Sequence, residues 1–368
     1  MLVVASIARL HVGGLGLAVL LLVEGRTGSF ADGGLAVALL SIGVAVARIV
    51  QGRVVDRVGV AGLPVIAAAH GASAALVLLA PGALVAPAVL VLGVTAPAIT
   101  VVTRWLWARD VGSRQQPLVF GVDTALQDAA FVVGPLLATA VAEAASPSAA
   151  LLVLVAIGCA GGVGLVLVIP RGARPAAWEG GGRVRPVLDV LAATAGLGVI
   201  YGALGVGAVA VAVDAGRDDL SGVVTAALFA GGIVGDLLLA PRRPEVPLAR
   251  RLRTRVPVLL AACALVPLAP GVVGVTVAVA LTGAVLANAS VTLLLGLAAR
   301  ASAHTRAEGF GWAGATLRLG NAAGAATAGV LAEHVDARSA LAVAVAGAAL
   351  ASVVVAGKRR RVNVNVNG

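Results

Sequence analysis

From end to end, the chain alternates between apolar runs of membrane-spanning length and short polar breaks. An α-helix rises about 1.5 Å per residue, so roughly 20 apolar residues carry it across a bilayer's hydrocarbon. About twelve such runs can be marked, six of them at Leu2–Val23, Gly33–Val50, Leu63–Leu79, Leu84–Val102, Leu118–Ala142 and Ala149–Ile169. Six more follow at Val187–Val213, Leu220–Ala240, Val256–Leu268, Val272–Ala299, Phe310–Ala332 and Ala340–Ala356, of which the run from Val256 is the shortest. Backbone N–H and C=O groups find no water inside a bilayer, so runs of this length read as helices.

Composition points the same way: 60% of the 368 residues are hydrophobic and 12% charged, with a mean hydropathy of +1.04. The apolar mass is Ala, Val, Leu and Gly, side chains small enough for helix backbones to approach closely in lipid. A net charge of +10 raises the question of nucleic acid. No basic face with interleaved aromatics exists, so a nucleic-acid partner is excluded and the lipid bilayer is the expected one. Cys159 and Cys263 lie inside apolar runs of different halves without metal-ligand spacing and read as small packed residues. The first run lacks a basic leader and a clear cleavage site and reads as an uncleaved helix.

Of the 27 basic residues, only Arg26, Arg217 and Arg338 fall in the breaks after odd-numbered runs. The positive-inside bias therefore predicts a multi-pass protein of the inner cell membrane with both termini cytoplasmic. The stretch Arg171–Pro186, rich in Gly and Arg, is the clear linker, and Lys358–Arg361 is a stop-transfer flank or a lipid contact. The expected domains are 1–170, a six-helix bundle; 171–186, a cytoplasmic linker; 187–357, a second six-helix bundle; and 358–368, a cytoplasmic tail.

A repeat supports that division. An offset of 190 superposes Phe120, Gly121, Ala125, Gly134, Ala138, Ala142 and Glu143 on Phe310, Gly311, Ala315, Gly324, Ala328, Ala332 and Glu333. An offset of 188 more weakly relates the second run to the eighth. The fold class follows as an all-α membrane protein of about 12 transmembrane helices in two pseudo-symmetric six-helix bundles. Parallel repeats about a central pathway are a transporter architecture.

The most specific motif follows the second run: Gly52, Arg53, Asp56, Arg57 and Gly59 in the pattern G-x-x-x-D-R-x-G. The glycine permits close helix approach, the aspartate can sit at a neighbouring helix N-terminus, and the arginines fix charge on the cytoplasmic side. An ordinary solvated turn with one ion pair is the bland alternative. The motif and its place between the second and third helices resemble the corresponding loop of the major facilitator superfamily. In the fifth run, Gly121, Gly134 and Pro135 resemble that family's antiporter motif, with Ala130 and Ala138 where glycines are usual. Asp123, Asp128 and Phe131 in the same run, and the segment Phe310–Glu333, resemble facilitator helices of actinobacterial type. The resemblance implies the facilitator fold, a small-molecule substrate, protons as partners, a monomer, and export by an antiporter. The fourth run lacks an interior arginine and the first lacks an acid, which puts drug–proton exchange in doubt.

Ionisable groups in the bilayer centre are costly and are kept for pairing or transport. Asp128 and Arg318 stand at equivalent repeat positions near mid-membrane with opposite charge. Asp128 is expected to be a proton or cation site facing away from the ridge Ala130, Gly134 and Ala138. Arg318 is expected to contact an anionic group or to pair with an acid. A static ion pair or a snorkelling charge is the competing reading for both. Asp123 is expected to face a neighbouring helix, and Arg48 and Asp236 read as gate, interface or solvated helix-end charges. Arg9 and His11 line a cavity unless Arg9 snorkels, and His70 is expected at the periphery. Thr95, Thr100, Tyr201, Asn288, Thr292 and Asn321 are pathway groups or interhelical hydrogen bonds, and Pro97 and Pro135 are bending points.

No Walker phosphate loop, metal cluster or nucleophile-base set occurs, so no cofactor and no enzyme activity are expected. The function predicted is secondary active transport of a small organic solute by alternating access, as proton-coupled export. The alternative class is a degenerate facilitator serving as a scaffold or sensor without turnover.

Overall fold

A computed structural model describes residues 2–28, 30–169, 188–217, 220–238, 248–302 and 305–356. The linker and the basic tail lie outside the described residues. Thirteen α-helices follow one another without a strand among the described residues: α1 Leu2–Thr27, α2 Phe30–Val58, α3 Leu63–Leu79, α4 Val85–Thr95, α5 Ile99–Asp110, α6 Gln116–Ala144, α7 Pro147–Val168, α8 Leu188–Asp214, α9 Ser221–Leu238, α10 Leu248–Leu265, α11 Gly271–Arg300, α12 Arg306–His334 and α13 Ala337–Ala356. Among the described residues, seven stretches are long and apolar enough to cross a membrane, and three shorter apolar helices accompany them.

Helix boundaries follow local chemistry. Gly59 ends α2 with φ of 66°, a conformation most side chains avoid. Ser146 caps α7 by accepting the Ala149 N–H at 3.1 Å. The expected fourth span is two helices, because Pro97 lacks an N–H and turns Ala96 out of the helical region. Pro135 does not interrupt its helix: α6 runs through it. The shortest run is α10 with a 3-10 turn, Val266–Leu268, behind it.

Contacts divide the chain into two compact units. One comprises Met1–Arg109, Ala129–Arg183 and Ser302–Ala315, and the other Asp110–Asp128, Val184–Ala301 and Thr316–Gly368. In the first, α1 packs on α7 and α2, α2 on α4, and α3 on α4 and α7. In the second, α8 packs on α13 and α9, α9 on α11, and α10 on α11 and α13. These five pairings recur in the same order, and the second unit adds α8 on α11. Small residues carry the packing: Gly14 lies against the Gly134 carbonyl, and Gly202, 188 positions later, lies against Asn321 and Ala325 of α12.

The first unit's core gathers Leu15, Val19, Leu22, Leu40, Leu92 and Leu151 from four helices. Large aliphatic side chains also cover the outside, with Leu79 82% and Leu167 79% exposed. A continuous apolar exterior of this kind calls for lipid as its solvent. Cys263 is buried, and Cys159 donates its S–H to the Ala67 carbonyl at 3.1 Å, so both are packed residues.

Candidate functional site

The G-x-x-x-D-R-x-G segment occupies the last two turns of α2 and meets the first turn of α12. Asp56 is buried there, its two carboxylate oxygens accepting the N–H groups of Ala307 at 2.9 Å and Glu308 at 2.7 Å. These are orphan donors of a helix start, so Asp56 caps a helix 250 residues away and sits at its positive end. Arg53 donates from Nε to Glu308 Oε1 at 2.9 Å, and Trp312 Nε1 donates to the same oxygen at 3.2 Å. Arg306 reaches the Ala108 carbonyl at 3.2 Å. A Cβ on Gly52 would stand 2.7 Å from the Ala307 carbonyl oxygen, which explains the glycine. Arg57 points outward and is exposed.

Arg48 lies one turn earlier on α2, buried beneath α12, with its Nη1 3.4 Å from the Gly314 carbonyl. Gly311 and Gly314 make room for it: a Cβ on Gly311 would overlap the Arg48 carbonyl, and one on Gly314 would meet its guanidinium at 2.7 Å. Sequence reasoning named Arg48 and the loop but not Glu308, Trp312 or Arg306. Their only signal was an acid and an indole one turn apart at the start of the eleventh run.

Two faces separate on α6. Gly134 packs on Gly13 and Gly14 of α1, with a Cβ on Gly134 only 2.6 Å from the Gly14 nitrogen. Asp128 points elsewhere: its carboxylate lies against Gly232 of α9 so closely that a Cβ there would overlap Oδ2. Asp236, one turn further along α9, is buried, as are Gly121, Asp123 and Gln127. The aspartate thus faces a neighbouring helix through a glycine window.

In the first unit, Arg9 is among the largest buried side chains and donates to Thr103 Oγ1 at 2.7 Å; it does not snorkel. His70, expected at the periphery, is fully buried instead. Its ring meets that of His11 edge-on at 5.9 Å, and its Nδ1 is 3.3 Å from Thr95 Oγ1, which Ser73 also contacts at 2.8 Å. A polar helix face turned toward the bundle accounts for the difference, since α3 is otherwise too apolar for its inward side to be read. Thr95 therefore joins helices, and Thr100 is buried with its carbonyl accepting from Thr103 at 3.2 Å. Gln51, which sequence reasoning missed, clamps the break before α5: its Nε2 donates to the Ala96 carbonyl at 2.9 Å and its Oε1 accepts the Ala98 N–H at 2.8 Å.

In the second unit, Tyr201 stacks on Phe229, the rings 16° apart in plane and 6.2 Å between centroids. Asn288 is buried, its carbonyl accepting the Thr292 hydroxyl at 2.9 Å, and Arg255 contacts Thr292 Oγ1. Arg300 pairs with Asp189 at 2.8 Å. Arg318 is half-buried on α12 and makes no hydrogen bond, ion pair or ring contact among the described residues. Among the described residues, no three His, Cys, Asp or Glu side chains stand together as a metal site.

No protein-family model matches the chain, and no curated protein matches it by sequence. Solved structures do match. A bacterial homologue of the iron transporter ferroportin, in the outward-facing state, superposes with a TM-score of 0.76 at 14% identity over 97% of both chains. The human organic anion transporter MFSD10 (TETRAN) gives 0.72 at 12% identity over 95% of this chain and 98% of that one. The Major Facilitator Superfamily transporter FucP, in the outward conformation, gives 0.71 at 14% identity over 96% of both. At such identities the likeness shows the fold: the chain is an all-helical membrane protein with the architecture these transporters share. The proteins it resembles are transporters and not enzymes.

Proposed function

We propose that the chain is a secondary active transporter of a small organic solute, working by alternating access. The observation that carries this reading is the Asp56 carboxylate capping the first turn of α12, reinforced by Arg53 on Glu308. The cap is a charge-assisted bond of modest strength, on the order of 1–2 kcal/mol, between segments far apart in sequence. A contact of that size holds one state and still yields to a conformational change driven by ligand binding. In this reading it is the closed cytoplasmic gate, Arg48 is the rod behind it, and both chain termini are cytoplasmic.

Coupling is assigned to protons, with Asp128 as the carrier. Its burial against Gly232 places its protonation in a helix contact, where a change of charge alters packing. Export is the direction favoured by the Gly134–Pro135 pattern on α6, where backbone meets backbone on α1. The matched transporters differ in cargo, so the fold selects no substrate.

Proteoliposomes loaded with pyranine and challenged in turn with organic acids, amines, sugars and amino acids test the proposal. At least one class should evoke a proton flux that Asp128→Asn abolishes. Proton flux unchanged in Asp128→Asn removes that residue from coupling, and silence to every class favours a scaffold.

A further inference from the structure

We infer that Arg318, with Asn321 one turn on, holds the anionic group of the transported solute, so that the substrate class is a small organic carboxylate or a similar oxyanion. The inference rests on the transport reading and names its cargo. Arg318 lies twelve residues into α12, about 18 Å from the start of that helix at 1.5 Å per residue, and sixteen from its end. It is too deep for its side chain to reach either interface by snorkelling. A guanidinium does not lose its proton in proteins, so the charge is permanent and is costly at mid-membrane.

Other arginines within the helices are answered from within the chain: Arg9 by Thr103, Arg53 by Glu308, Arg300 by Asp189 and Arg26 by two carbonyls. Arg318 has no such answer among the described residues, and neither does the exposed side chain of Asn321. Two groups with N–H donors at i and i+3 stand about 60° apart on one helix face.

The shape of α12 gives that face its meaning. Leu317, Gly320 and Gly324 are turned to α8, where Gly198, Ala195 and Val199 pack on their backbone. Gly314, one turn before Arg318 and about 40° round the helix, is sealed by Arg48. Beyond Arg318 the same stripe carries Ala322, Ala325 and Gly329; the Ala325 backbone packs on Gly202 of α8, whereas a Cβ on Gly329 would meet nothing within 4 Å. Arg318 stands between the part of the stripe that Arg48 seals at Gly314 and the part that is open at Gly329. A planar fork with free N–H groups in a partly desolvated place suits bidentate recognition of a carboxylate.

The test uses the full-length protein in detergent and matched pairs of probes: benzoate with benzamide, lactate with lactamide, and succinate with succinamide. Thermal unfolding followed by tryptophan fluorescence should show stabilisation by at least one carboxylate that its neutral amide does not reproduce. Arg318→Gln should weaken that carboxylate about ten- to a hundredfold, the loss expected for hydrogen bonds to a charged group. Arg318→Lys keeps the charge without the fork and should fall between. If Arg318→Gln does not fold, Asn321→Ala, which leaves the cation in place, should weaken the same probe several-fold. Equal effects of acid and amide, or undiminished carboxylate binding in these variants, overturn the inference. Flux of a neutral solute indifferent to Arg318→Gln leaves transport standing and removes the anion site. Carboxylate binding with no flux of any solute keeps the site and removes transport.

Discussion

The first turns of α12 and its middle are parts of one helix treated in opposite ways. At the start, charge is met by the protein: Asp56 takes two backbone N–H groups, and Arg53 and Trp312 share Glu308. In the middle, Arg318 and Asn321 face a stripe of small residues with no partner among the described residues. Charge met from within holds a conformation, and charge left open is available to a ligand. In the proposed function the same helix carries a gate at its start and a binding surface at its middle.

Steric change should separate the two stretches most strongly. Gly311→Val forces a side chain into the Arg48 backbone, and we expect at least about 1–3 kcal/mol of destabilisation, read as a lower unfolding temperature in detergent. Gly329→Val, which adds the same atoms to the open half, should stay within about 0.5 kcal/mol. Equal penalties would end the distinction between sealed and open. Gln51→Ala tests the neighbouring clamp: it strips partners from the Ala96 carbonyl and the Ala98 N–H, at about 1–3 kcal/mol for a buried group left bare. Protease accessibility at the α4–α5 break should rise in that variant.

Asp56→Ala should cost about 1–2 kcal/mol and raise hydrogen exchange in the first turn of α12 while leaving exchange around Arg318 unchanged. The pair Arg53–Glu308 should matter less. Arg53 is 50% exposed, and a double-mutant cycle with Glu308→Gln is expected below about 1 kcal/mol. The smallest effect lies past the far end of the helix. Asp336 caps α13 by accepting the Ser339 N–H at 2.6 Å, and that bond holds its carboxyl below the usual range. A depressed carboxylate contributes stability above its unfolded pKa and loses it as pH falls through the folded value. Asp336→Asn should therefore lower the unfolding temperature slightly at neutral pH and leave the acid end unchanged, which flattens the acid limb of the profile.

Much of this was legible without coordinates. The glycine and aspartate of the second-run motif were read as a close approach and a foreign helix N-terminus, and Gly52 and Asp56 do both. The small-residue ridge on α6 and its separation from Asp128 followed from 100° per residue. The partners did not follow. Nothing local announces that Asp56 meets residue 307, that Asp128 rests on Gly232, or that His70 turns inward. In helices apolar on all sides, hydrophobic periodicity no longer marks the buried face.

By itself, the sequence determined that this chain must be helical and lipid-solvated, because runs of that length leave the backbone no other way to satisfy its hydrogen bonds. It also determined where helices could approach, because only small residues permit backbone contact. Which charge is met and which stays open was decided by tertiary structure alone. That outcome depends on what a helix hundreds of residues away brings to within 3 Å, a distance no spacing along the chain encodes.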